Sequence, residues 1–73
     1  MSSDRFVRVT ECPPGLWFEG KTPFLLCSVR MSDSEAPGHL FAVRTNLADV
    51  EKILEEEYRH GAYEYGPEWV KWK

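Results

Sequence analysis

The stretch NLADVEKILEEEYRHG, residues 46–61, decides the fold because it carries complete signals for one amphipathic helix. Asn46 is a suitable N-cap, and Asp49 lies in the first turn, where its charge favours the helix dipole. Gly61 suits the left-handed position that follows a helix C-terminus. Apolar side chains recur at helical spacing and form one stripe: Leu47, Val50, Ile53, Leu54 and Tyr58. The pattern predicts a helix over residues 47–60 that packs on the rest of the chain through this stripe.

Upstream of the helix, three segments of alternating apolar and polar residues predict β-strands. They cover residues 5–10, 24–31 and 39–45. The polar, turn-rich residues 32–38 separate the second strand from the third and predict an antiparallel hairpin with a long exposed loop. After the helix, residues 69–72 alternate again and are compatible with a fourth strand. We therefore expect an α+β fold, with an antiparallel sheet of three to four strands packed against one helix in the C-terminal half.

Length and composition restrict the class of protein. The 73 residues predict one small domain, residues 1–73, and the 42% hydrophobic and 29% charged residues are typical of a globular chain. A net charge of -3 argues against nucleic acid as the default partner. No apolar run approaches the roughly 20 residues of a membrane span, and the first residues lack a signal-peptide core. We expect a cytoplasmic protein that makes no membrane contact and is a monomer when free.

The chemistry available for catalysis or metal binding is limited to two cysteines, two histidines and an acidic helix side. Cys27 with His39, or Cys12 with His60, supplies a nucleophile and a base but lacks any recognisable local context. The same four residues lie outside the short spacings that zinc sites use. Glutamates 55–57 are typical of a solvated helix face rather than of an acid–base pair. We expect reduced, structural cysteines, no enzyme activity, no cofactor and no metal.

Arginines on the predicted strands suggest a binding surface. Alternation places Arg8, Arg30 and Arg44, one in each strand, on the face of the sheet away from its more apolar side. Three apolar residues are expected to share that face: Phe6, Phe24 and Leu40. Arginine beside aromatic residues is typical of protein–protein hot spots and of single-stranded nucleic-acid platforms. Arginines that only solubilise the outer side of a one-sided sheet are the third interpretation.

Aromatic residues are concentrated at the end of the chain. Five of them fall within the last sixteen positions, one in the last turns of the predicted helix and four after it. Since a chain this short has little core to build, we expect most of them to close it: Tyr58, Tyr63, Tyr65 and Trp69. Trp72 lies between Lys71 and Lys73 and has no assigned role.

The whole chain resembles a known class of phage product. Its length of 73 residues and its opening, MSSDRFVRVTECPPGLWFEG, are similar to those of small RNA-polymerase-binding transcription regulators made during lytic infection. The order of strands followed by an acidic helix is also similar to that of other small phage polymerase inhibitors. The resemblance implies a non-enzymatic inhibitor of host transcription initiation that binds bacterial multisubunit RNA polymerase in the infected cell. It also implies antitermination activity, and it assigns no role to any residue.

The hypothesis for the site is a protein contact formed by the first strand, the apolar turn after it and two later arginines. The predicted contact residues are Arg5, Phe6, Arg8, Trp17, Arg30 and Arg44. The alternative function is a small single-stranded nucleic-acid or RNA-binding module that uses the arginine-bearing face. A small zinc-supported structural domain is a third class.

Overall fold

The structure, a computed structural model, describes residues 4–15, 19–60 and 63–72. Within these residues it has an α+β fold, as predicted, and the helix has its predicted bounds. The elements are β1 (Arg5–Glu11), β2 (Phe24–Arg30), a 3₁₀ turn (Met31–Asp33), β3 (His39–Arg44), α1 (Leu47–His60) and β4 (Glu68–Lys71). The structure therefore contains the fourth strand, with which the sequence was only compatible.

The four strands form one mixed sheet in the order β3-β2-β1-β4. β1 pairs with β2, and β2 with β3, in antiparallel fashion, whereas β4 runs parallel to β1. The prediction of a wholly antiparallel sheet is wrong for β4. A helix between two strands of one sheet returns the chain to the end from which it left, so that the next strand runs parallel to the previous one. α1 makes this crossover between β3 and β4.

The core lies between α1 and one face of the sheet, which we call the helix face. It is built from two residues of each of three elements: Val7, Val9, Phe24, Leu26, Val50 and Leu54. In the register of β1 and β2, Val9 lies opposite Leu26, so these two face the helix together. The sequence analysis had placed Phe24 on the arginine-bearing face, which made the opposite face, with Leu25, the more apolar one. That assignment is wrong for the helix contact because β2 is a central strand and is apolar on both sides.

The residues between β2 and β3 fold back over the second face of the sheet, which we call the strap face. We call residues 31–38 the strap. Beneath it, Phe6 is 3% exposed and Val29 only 1%, and the two lie opposite each other in the β1–β2 register. Gly38, at a φ of 80°, lies so close to the sheet that an added Cβ would be 2.7 Å from Cγ2 of Val29. Most of the loop is exposed, as predicted, but the loop also packs on the sheet at Gly38.

Two of the C-terminal tyrosines close the core, as predicted. The rings of Tyr58 and Tyr63 stack with centroids 4.9 Å apart, and both pack against the core cluster. The Tyr58 hydroxyl accepts a hydrogen bond from the Val7 N–H at 3.1 Å and donates one to the Tyr65 carbonyl at 2.8 Å. The same prediction is wrong for Tyr65 and Trp69, whose side chains are exposed. Tyr58 thus links the end of α1 to β1 through a hydrogen bond.

Candidate protein-binding surface

Arg8 holds the fold together. Its Nε donates to Oε1 of Glu68 on β4 at 2.6 Å, and its Nη1 donates to the Ala36 carbonyl at 3.1 Å. Its Nη2 donates to the Ser34 carbonyl, and the guanidinium lies over the Phe6 ring, 5.4 Å from the centroid. The side chain is 18% exposed. Arg8 therefore joins β1 to β4 and to the strap, and its donors are engaged inside the molecule.

The strand register separates the three arginines that were predicted to cluster. Arg30 lies opposite Arg5, and Arg44 lies opposite Phe24, so both point to the helix face from opposite ends of β2. Arg8 points to the strap face. The predicted three-arginine surface is therefore wrong. Alternation within one strand assigns faces to its own residues, but only the register between strands decides which faces coincide.

The predicted aromatic contacts are also placed differently. Phe6 is buried between the Arg8 guanidinium and the sheet, and Phe24 belongs to the helix-face core. Trp17 lies outside the described residues. Arg44 is exposed, and its Nη1 donates to the carbonyl of the preceding Val43 at 2.7 Å. Of the six predicted contact residues, the structure brings Phe6 into contact with Arg8, and it places Arg5 beside Arg30.

These two arginines line a cleft of about 200 Å³ at the end of the sheet where β1 begins, β2 ends and β3 begins. We call it the arginine cleft. Six of its lining residues carry its chemistry or shape: Arg5, Ser28, Arg30, Asp33, Gly38 and His39. Sequence reasoning missed Ser28, Asp33 and His39 as site residues. In an antiparallel pair the start of the first strand lies beside the end of the second. Applied to the predicted strands, this rule could have indicated that Arg5 and Arg30 are neighbours.

The register explains why cationic groups gather in this cleft. Arg5 lies opposite Arg30 across the β1–β2 pair, and Ser28 lies opposite His39 across the β2–β3 pair. Nη1 of Arg5 donates to Oγ of Ser28 at 3.0 Å. Within the described part of the chain, the Arg30 guanidinium has no hydrogen-bond or ion-pair partner. Arg30 is exposed and lines the cleft.

Acidic residues lie at and beside the arginine cleft. Asp33 is the one acid among its lining residues, and neither arginine is within ion-pair distance of it. Asp4 lies nearby, and its Oδ2 accepts the Ser32 N–H at 3.3 Å. Like charges directly opposite each other on two strands are destabilising. From the register we therefore expect the pair Arg5 and Arg30 to lower the stability of the free protein.

A second surface is the part of the strap face that the strap leaves open. Leu25 lies opposite Thr10 on one side and Val43 on the other, and Thr10 lies beside Val70. These four side chains are half-buried, whereas Leu40 on the edge strand is 49% exposed. We call these five residues the open face. This area is mainly apolar. It adjoins the arginine cleft because Leu40, at its edge, follows directly on His39, which lines the cleft.

The other polar groups are explained by the fold. Both thiols are free, and burial raises the pKa of Cys12 and of Cys27, the charge of Arg8 opposing it weakly at Cys27. Both thiols therefore stay protonated at neutral pH. On α1, Arg59 pairs with Glu55 at 3.8 Å and with Glu56 at 3.3 Å, as expected of a solvated helix face. Among the described residues, no three potential ligands converge on a metal position.

Comparison with known proteins yields no relative of this chain. No family model matches it, and neither a curated protein nor a solved structure does. In the part of the chain that the structure describes, no helix has the length and apolar character to span a bilayer. An assignment of function therefore depends on the two surfaces and on the resemblance of the opening sequence.

Proposed function

We propose that this protein is a non-enzymatic phage regulator that binds bacterial multisubunit RNA polymerase. It inhibits initiation from host promoters and also acts in antitermination. The resemblance of residues 1–20 and of the chain length to such regulators supports the proposal. The observation that carries it is the junction of two surfaces: unpaired Arg30 in the arginine cleft, and exposed Leu40 beside it.

This junction fits a protein partner. Interfaces enrich arginine and bulky apolar side chains at their centres, because both provide much contact area with directed hydrogen bonds. The open face provides the apolar part, and the arginine cleft provides Arg30 donors that have no hydrogen-bond or ion-pair partner among the described residues. By mass action, a partner that binds only the folded chain also stabilises a domain this small.

A single-stranded nucleic-acid platform fits less well. Such a platform needs several cations along one stacking surface. Here Arg8 faces away from Arg30 and Arg44, and it is paired with Glu68. The chain as a whole carries a charge of -3 and would be repelled by a phosphate backbone.

Inhibition requires only differential binding. A ligand shifts polymerase away from the promoter-competent state when it binds another conformation more tightly. No group of this protein has to perform chemistry on the enzyme or on DNA. The acidic outer side of α1, with Glu55 and Glu56 exposed, would disfavour DNA close to the bound regulator.

The test uses purified RNA polymerase. We expect the wild-type protein to bind it in a surface-binding assay and to reduce promoter-dependent transcription. The variant Leu40→Ser should weaken binding because it removes apolar contact area at the junction. Leu47→Ser is the matched control, since Leu47 is also 49% exposed but lies on α1. Absence of polymerase binding by the wild type, or equal loss in both variants, would overturn the proposal.

Salt dependence decides between protein and nucleic acid. Binding to a labelled single-stranded RNA should be absent or weak at physiological salt. If RNA binds tightly and its affinity falls steeply as salt is raised, the nucleic-acid module is the better assignment.

A further inference from the structure

We propose that the arginine cleft binds a carboxylate: an aspartate or glutamate side chain on an extended segment of the polymerase. This inference rests on the proposed function, and it names the chemistry of the partner at one defined site. The acidic side chain of that segment is expected to lie between Arg5 and Arg30.

The first argument is the arrangement of charge. Arg5 and Arg30 occupy directly opposite positions on β1 and β2. Their repulsion is relieved when one anion binds between them, so the free energy of binding includes the relief of an unfavourable native contact. The neighbouring His39 lines the same cleft and adds a further donor.

The second argument is the unused hydrogen-bonding capacity. An arginine side chain presents five N–H donors in a planar fork that matches the two oxygens of a carboxylate. Arg5 uses Nη1 on Ser28, and Arg30 uses none of its side-chain donors within the described chain. Arg8, by contrast, donates through all three of its nitrogens. The arginine cleft is therefore where unpaired donors converge.

The third argument is the edge strand, which favours a polypeptide over a free anion. Among the described strands β3 pairs only with β2, so its outer backbone groups are available to a polypeptide partner that enters the cleft at His39. His39 both begins β3 and lines the cleft, while Leu40 next to it is exposed. The bulge that faces Leu26 and Cys27 restricts regular pairing to short stretches. A short segment anchored by one acidic side chain satisfies these conditions.

The fourth argument concerns size and charge. A cleft of about 200 Å³ admits one side chain. Asp33 in its wall adds a negative charge that opposes a doubly charged phosphate more than a singly charged carboxylate. We therefore assign the site to a carboxylate.

The direct test is an NMR titration of the full chain, free of polymerase, with a blocked tetraglutamate peptide. We expect amide shifts concentrated at the arginine cleft: Arg5, Ser28, Arg30 and His39. A blocked tetraglutamine peptide and inorganic phosphate are the comparison ligands, and both should bind at least tenfold more weakly. The variant Arg30→Gln should weaken the tetraglutamate response roughly tenfold or more, because it removes a charge-assisted bond. Arg44→Gln should leave it unchanged.

Three outcomes would overturn the inference. Shifts that are absent from the cleft would exclude a carboxylate site there. An equal response to tetraglutamine would show that charge is irrelevant. Tighter binding of phosphate than of tetraglutamate would assign the cleft to a small free anion.

The second test measures polymerase affinity and separates this inference from the proposed function. Arg30→Glu should weaken polymerase binding by tenfold or more, while Arg44→Glu leaves it within twofold. If Arg30→Glu binds as wild type does and Leu40→Ser does not, the inference fails and the proposed function stands. If wild type does not bind polymerase at all, the proposed function and the assignment to polymerase fail together. The tetraglutamate titration then still decides whether the cleft takes a carboxylate.

Discussion

The two arginine sites on β1 have opposite roles, although only three positions separate Arg5 from Arg8. Arg8 lies on the strap face, where two backbone carbonyls and Glu68 accept its hydrogen bonds. Arg5 lies on the helix face, opposite the unpaired Arg30. The role of each arginine therefore depends on which hydrogen-bond acceptors lie on its face of the sheet. The acceptors on the strap face engage all three nitrogens of Arg8, whereas Arg5 uses one nitrogen on Ser28.

The largest effect on stability should come from Gly38→Ala, which disturbs the packing of the strap on the sheet. An added Cβ would lie 2.6 Å from the Ser28 carbonyl oxygen, and the φ of 80° disfavours any side chain. Together, strain and overlap should lower the free energy of unfolding by about 3 kcal/mol. Urea unfolding monitored by circular dichroism measures this.

Gly20→Ala is the matched control for that experiment. Gly20 has a similar φ of 70°, but no atom of the described residues lies within 4 Å of its added Cβ. Only backbone strain remains, so the loss should be about 1 kcal/mol. Equal losses for the two variants would contradict the close packing of the strap on β2.

The next effect concerns the hydrogen bonds of Arg8. Arg8→Gln should lower the free energy of unfolding by about 2 kcal/mol, because charge-assisted bonds to the strap carbonyls are lost in a largely buried position. Amide hydrogen exchange should become faster in the strap. Glu68→Gln removes only the half-exposed ion pair and should change stability by less than about 1 kcal/mol. If the two variants behave alike, the strap is not held by Arg8.

The sequence predicted the elements well because their signals are local. The N-cap Asn46 does accept the Ala48 N–H through its side chain, at 2.8 Å, and α1 begins at Leu47 as its capping and periodicity indicate. The strand bounds follow from alternation in the same way. These features depend on residues a few positions apart, and a single sequence contains them completely.

The site was predicted only in part because it depends on long-range register. Arg8 and Ala36 are brought together by the return of the strap, and no local pattern indicates that a polar loop will cover Phe6. The direction of β4 depended likewise on the crossover through α1. Residue type marked Arg5 and Arg30 as candidate contact residues, but their common cleft appears only when β1 and β2 are paired.

The smallest effect is also the most discriminating one, because it has the opposite sign. Arg30→Glu replaces a cross-strand repulsion with an attraction to Arg5, so the free protein should become more stable by about 0.5 kcal/mol. The gain should disappear as the pH falls through about 4.3, where the introduced carboxylate becomes protonated and can no longer attract Arg5. Arg44→Glu lies opposite Phe24 instead of a cation and should change stability little. A variant that folds more stably and yet binds its partner less tightly identifies Arg30 as a residue retained for binding. Destabilisation by Arg30→Glu would instead show that the pair Arg5 and Arg30 is not under strain.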